Sequence, residues 1–172
     1  MSLSPSLRRR IASTLALAVL LSLTACGFTL RGTGQSASLP FQTVFLGVAD
    51  NSPLGTELKR YLRASKVDVV TDKKAAQAFI EILAEGRQKT VQSLNTQGRI
   101  REYALFYRMT FQVKNAAGAV LLAPTEIVLK RDISFNESQV IAKEKEEELL
   151  YRDMQSDLVQ QILRRLAAIK PA

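Results

Sequence analysis

The clearest periodicity in the chain is an alternation. Tyr103, Leu105, Tyr107, Met109, Phe111 and Val113 alternate with Glu102, Ala104, Phe106, Arg108, Thr110 and Gln112. A period of two sustained over that length predicts a strand with one face on a core and the other wetter. Turn signals bracket it, Asn95-Thr96-Gln97-Gly98 before and Asn115-Ala116-Ala117-Gly118 after. Residues 78–94 read as a long strand in which Phe79, Ile80, Ile82 and Leu83 give way to Arg87, Lys89 and Val91. Residues 120–135 resume strand character, and Pro124 marks a bulge or an edge there. Three long strands joined by two turns predict an antiparallel meander.

The flanks carry other patterns. Residues 41–48 are apolar and partly β-branched, which predicts a buried strand, and residues 67–71 predict a second. Between them Ser52 is placed to cap a helix, with Pro53 at its first position. Leu54, Leu58, Tyr61 and Leu62 form its apolar face, while Lys59, Arg60 and Arg63 lie on others. Residues 136–169 predict a long helix whose apolar row runs through Leu150, Met154, Leu158, Ile162, Leu166 and Ile169. Glu144, Glu146, Glu147 and Glu148 sit toward its positive end, Arg164, Arg165 and Lys170 toward the other, and Pro171 stops it. About 28 residues of helix span roughly 42 Å, enough to cover a sheet face.

The start of the chain is different in kind. Arg8, Arg9 and Arg10 precede an apolar run from Ile11 to Leu21, and Leu23-Thr24-Ala25-Cys26 follows. A short apolar core with basic residues before it and small residues after it is a signal peptide, not a membrane span. Leu-Thr-Ala-Cys reads as a lipobox, with cleavage after Ala25 and acylation of Cys26. Several acyl chains on one residue give stable anchoring, because each buried CH2 contributes roughly 0.8 kcal/mol. Residues 1–25 are therefore a lipoprotein signal peptide. Residues 26–40, with Gly32, Gly34, Ser36 and Ser38, are a lipidated tether, and residues 41–172 form the folded domain. Gly27 after the cysteine, in place of the Asp of many inner-membrane lipoproteins, favours the outer membrane.

Composition narrows the chemistry. The first 25 residues hold three arginines and no acid, so removing them lowers the formal charge from +8 to +5. That is a moderate basic bias, suited to an acidic or phosphorylated partner. Cys26 is the only cysteine, so no disulfide holds the domain. With no histidine, the commonest general base and metal ligand are gone. Serines and threonines are scattered without a base to activate them, and Gly32-Thr33-Gly34 is not a phosphate loop after a strand. Glu144 to Glu148, with lysines between them, read as a solvated helix face and not as a cation site. No catalytic residue, metal site or cofactor is expected. Dispersed basic residues and an export signal argue against nucleic acid.

The basic residues near the first turn say more. Arg87, Lys89, Arg99 and Arg101 lie on the two strands that the turn joins, and Arg131 and Lys143 flank the passage into the long helix. Neighbouring strands could bring several of these to one end of the sheet. Two readings stand. Such charges discourage edge-to-edge aggregation, or they bind an anion. Cations beside an apolar-faced sheet suit an amphiphile with phosphates and acyl chains.

These residues carry a family resemblance. Cys26-Gly27-Phe28-Thr29-Leu30-Arg31-Gly32, the pair Glu102-Tyr103, the run Arg131-Asp132-Ile133-Ser134-Phe135, Ala142-Lys143, and Gln161-Ile162-Leu163-Arg164-Arg165-Leu166 resemble the LptE lipopolysaccharide-assembly lipoproteins of Gram-negative bacteria. The order of elements does so over the whole mature chain. The resemblance implies an α+β fold, two helices packed on one mainly antiparallel sheet of four to five strands in a single domain. It implies an outer-membrane lipoprotein facing the periplasm and held as a plug in the lumen of the LptD β-barrel, assisting barrel assembly and lipopolysaccharide delivery. It also implies direct lipopolysaccharide binding by basic residues. Lys143 matches one such position, and the family's basic position near the hairpin tip falls loosely on Thr96, with Arg99 and Arg101 close by. The other reading is an auxiliary lipoprotein of a periplasmic lipid-transport ABC system, with no barrel partner.

Overall fold

The computed structural model describes residues 39–49 and 51–170. Cys26, its lipobox and residues 27–38 of the tether lie outside the described residues. Five strands make one sheet: β1 (Thr43–Gly47), β2 (Asp68–Val70), β3 (Ala78–Leu94), β4 (Ile100–Asn115) and β5 (Val120–Ser134), in the order β2-β1-β3-β4-β5. Two helices complete the fold, α1 (Pro53–Ala64) and α2 (Val140–Ala167). The meander of β3, β4 and β5 is antiparallel throughout, as the alternation and the two turns predict. Gly98 and Gly118 hold φ of +75° and +84° in those turns, a region in which a Cβ is strained. The sheet is nevertheless mixed, because β1 runs parallel to both β2 and β3. The α1 crossover between β1 and β2 requires the first of these ladders to be parallel.

Ser52 caps α1 by accepting a hydrogen bond from the Gly55 N–H at 3.1 Å, and Pro53 occupies the first helical position. Leu54, Leu58 and Leu62 of α1 are buried together with Met154, Leu158, Ile162 and Leu166 of α2. Both helices join one core with Val44, Ile80, Tyr107, Phe111 and Val113 of the sheet. The long helix has the expected 28 residues, but its start differs from the sequence expectation. Asn136 Oδ1 accepts from the Ser138 N–H and turns the chain through a 3-10 turn at Glu137–Gln139, so α2 begins only at Val140. The first turn of α2 therefore carries no acid, and Glu146, Glu147 and Glu148 pair with Lys143, Lys89 and Arg152. Pro124 sits on the edge strand β5 beside a break in the β4–β5 register, between the Phe111–Thr125 and Val113–Leu122 pairs. The missing N–H is tolerated there.

One irregularity sets which face the β3 charges occupy. In β3 the pairs run Ile80–Val113, Ile82–Phe111, then Ala84–Thr110 and Glu85–Met109, leaving Leu83 as an extra residue. Directly paired residues share a face. Before Leu83 the even residues of β3 face the helices; after it Glu85, Arg87 and Lys89 do.

Candidate functional site

Lys89 and Lys143 meet in the half of the sheet nearer the Asn95–Gly98 turn, where Lys89 stands five residues, roughly 17 Å along the strand, before β3 ends at Leu94. They line a pocket of about 60 Å3 with Tyr103, Ile133, Phe135 and Val140 as apolar walls. At about 30 Å3 per water, that is room for a group the size of a small oxyanion, not for an acyl chain. Lys143 Nζ donates to Ser134 Oγ at 2.9 Å and to Glu146 Oε2 at 2.8 Å, and its side chain is only 18 % exposed. Lys89 Nζ lies 4.3 Å from the Tyr103 ring centre and donates to Glu147 Oε2 at 2.6 Å. Tyr103 in turn meets Phe135 edge to face at 5.3 Å. Both ammonium groups are thus fixed by one carboxylate each, with an aromatic wall behind them.

Arg99 and Arg101 belong to the same end. Arg99 faces Glu137 across 3.5 Å, with both side chains about two-thirds exposed. The Arg101 carbonyl accepts from the Phe135 N–H at 2.8 Å, which ties β4 to the end of β5. Among the described residues the Arg101 side chain has no ion-pair partner. Around this end Val91, Leu94, Val140 and Ile141 are exposed apolar side chains. Cations, a small pocket and a rim of aliphatic surface therefore share one tip.

Two of the six basic residues singled out from sequence turn their side chains to other partners and do not line this pocket. Arg87 lies on the same face of β3 as Lys89, two residues or roughly 7 Å further from the Asn95–Gly98 turn. Its guanidinium stacks over Tyr107 at 4.8 Å and Tyr151 at 5.2 Å, and Nη2 donates to Gln155 Oε1 at 3.3 Å. Arg131 pairs with Asp157 of α2 at 2.6 Å. Asp157 is fourteen residues beyond Lys143, roughly 21 Å along the helix. Closeness in sequence to the strand–helix passage does not bring Arg131 to the tip pocket. The hydroxyl of Tyr107 donates to Glu85, and burial, together with that bond, pushes its pKa up to about 12.

The residues missed in the sequence lie between the helices. Gln155, the one buried polar residue of the described chain, donates from Nε2 to Glu57 of α1 at 2.8 Å while accepting from Arg87. It links β3, α2 and α1. A glutamine in the buried i, i+4 row of Tyr151, Gln155 and Val159 was the signal for it. Among the described residues no group of three or more acidic or thiol side chains could hold a metal ion, and no helix is long and apolar enough to cross a membrane.

Two helices on one face of a five-stranded mixed sheet, with cations stacked on tyrosines between the layers, define a helix-covered α+β domain. The LptE family, described as lipopolysaccharide-assembly, matches residues 41–166, and the chain belongs to it. The family is non-enzymatic. The chain is 32 % identical to the LPS-assembly lipoprotein LptE of Yersinia enterocolitica over 161 residues, 92 % of this chain and 75 % of that one. To the protein of the same name from Pectobacterium atrosepticum it is 28 % identical over 157 residues, covering 90 % and 83 %. In structure it is similar to an uncharacterized lipoprotein B of Nitrosomonas europaea, at 39 % identity and a TM-score of 0.71, covering 83 % of this chain and 91 % of that one. It is also similar to a minor lipoprotein of Acinetobacter baumannii, at 26 % identity and a TM-score of 0.61, covering 74 % and 92 %.

Proposed function

We propose that this chain is an outer-membrane lipoprotein of lipopolysaccharide assembly, anchored through acyl chains on Cys26. It forms a plug in an LptD-type β-barrel and presents its tip to lipopolysaccharide. The observation that carries this reading is the tip pocket. Lys89 and Lys143 stand against aromatic and aliphatic walls, and Arg99 and Arg101 lie outside that lining, nearer the Asn95–Gly98 turn. Lipid phosphates need charge-assisted donors, and acyl chains need apolar surface next to them. The carboxylates of Glu146 and Glu147 hold the two ammonium groups in place until a phosphate displaces them. The sheet face away from the helices, with Phe106 and Val128 among its residues, is available to a barrel wall. A stable plug would bury well over ~1,000 Å2 against it.

The test is affinity for lipopolysaccharide of the full chain against Lys143→Glu combined with Arg101→Glu. The expected result is a loss of about tenfold or more, partly reproduced by added salt, with barrel copurification intact. Unchanged affinity removes these residues from the site. Absence of a large barrel among the proteins that copurify in near-equal amount would instead favour the ABC-auxiliary reading. Mass spectrometry of the mature N-terminus tests the anchor: acylated Cys26 is expected, and a mature chain starting at any other residue refutes it.

A further inference from the structure

A second cleft lies on the other flank of α2, bounded by α1, β3 and α2. It has a volume of about 690 Å3, and three arginines from three elements line it: Arg60, Arg87 and Arg152. We propose that it binds a hydrophilic oxyanion, the phosphate or carboxylate of a saccharide, through these three guanidinium groups.

The carboxylates of the cleft are already committed. Glu57 accepts from Gln155 Nε2 at 2.8 Å and from Ser156 Oγ at 2.7 Å, which leaves Arg60 at a loose 3.7 Å. Glu148 holds Arg152 at 3.4 Å, with both side chains about two-thirds exposed or more, a pair that water screens and a ligand displaces easily. Arg87 has no carboxylate within ion-pair distance among the described residues; its hydrogen-bond partner is the neutral Gln155 oxygen. A guanidinium carries five N–H donors in a rigid plane, and the two tyrosine rings hold that plane in place. Arg87 is thus a fixed cation with donors to spare, between two mobile ones. The rest of the lining chooses the ligand. Pro53 is its only apolar residue, and Thr56 and Ser156 add hydroxyls. Such walls favour a sugar over an acyl chain.

The experiment uses the full chain in detergent with labelled arginine side chains, titrated separately with glucosamine phosphate, glucuronate and inorganic phosphate at millimolar concentration. A saturable shift of the Arg60 and Arg87 side-chain signals with either saccharide is expected, the remaining one of the two being read in each double variant. Response to the sugar phosphate assigns phosphate, and response to glucuronate assigns carboxylate. Arg87→Gln with Arg152→Gln should weaken binding about tenfold or more. Arg60→Gln with Arg152→Gln leaves the tyrosine stack untouched and should weaken it severalfold. No saturable shift with any probe, a response to inorganic phosphate alone, or a shift unchanged in both double variants overturns the proposal. None of the probes carries acyl chains, so failure here leaves the tip reading untouched.

Discussion

The two halves of β3 share one face and have opposite characters. Before Leu83 the strand turns Ala78 and Ile80 into the core, both completely buried. Beyond it the same side carries Glu85, Arg87 and Lys89, held by Tyr107, Gln155 and Glu147. One extra residue reverses the parity of the strand. Were the same residues paired regularly, with Leu83 in the ladder and no bulge, Ala84, Gly86, Gln88 and Thr90 would face the helices, and no cation of β3 would line either pocket. The first half of β3 holds the fold together; the second half spends that rigidity on keeping charges in place.

The largest effects should separate those halves. Ile80→Ala opens a cavity in the core and should lower unfolding free energy by about 2–5 kcal/mol in denaturant titration. Lys89→Ala removes a partly exposed pair and should change it by less than about 1 kcal/mol, while weakening lipopolysaccharide binding. Equal stability losses at the two positions would break the comparison. Next comes Gln155→Leu, which leaves Glu57 and Arg87 without their shared partner and should destabilise by about 1–3 kcal/mol in the same titration.

Smaller is the alkaline response of Tyr107. Its folded pKa is raised to about 12 by burial and by donation to Glu85, against an ordinary value of 10.0. Below pH 10 both folded and unfolded states keep the proton, and the contribution is whole. Above that the unfolded chain ionises first, so stability falls as pH rises toward 12. Tyr107→Phe should flatten that part of the stability curve, measured by melting across the range. The smallest effect is expected from deleting Leu83. The register on both sides of it survives without the extra residue. Circular dichroism and lipopolysaccharide affinity should both stay close to those of the parent. A collapse of binding with an intact fold would show that the bulge also sets the strand's curvature at the site.

Much of this was legible in the residues. Alternation in β4, the glycine turns and the Ser52-Pro53 start report local geometry, and local geometry is what a period of two or a cap encodes. The parallel pairing of β1 with both neighbours was not legible, since it depends on which edge a distant segment joins. The parity of β3 was hidden for a related reason: a bulge is visible only against the partner strand. Lys89 and Lys143 line one pocket, while Arg99 and Arg101 lie outside its lining, nearer the turn. Arg87 and Arg131 lie on the same stretch of sheet as Lys89, but their side chains turn to other partners, Arg87 to Tyr107, Tyr151 and Gln155 and Arg131 to Asp157. The inter-helix cleft escaped notice because Arg60, Arg87 and Arg152 lie on three separate elements.

The central claim is that the tip faces lipopolysaccharide while the open sheet face meets the barrel. Photoreactive residues placed one at a time in living cells test it directly. Val140 lines the tip pocket, and Val128 lies on the open face at 43 % exposure. Illumination should join position 140 to lipopolysaccharide and position 128 to a barrel-sized protein. Lipopolysaccharide captured at position 128 and not at position 140 would contradict the account.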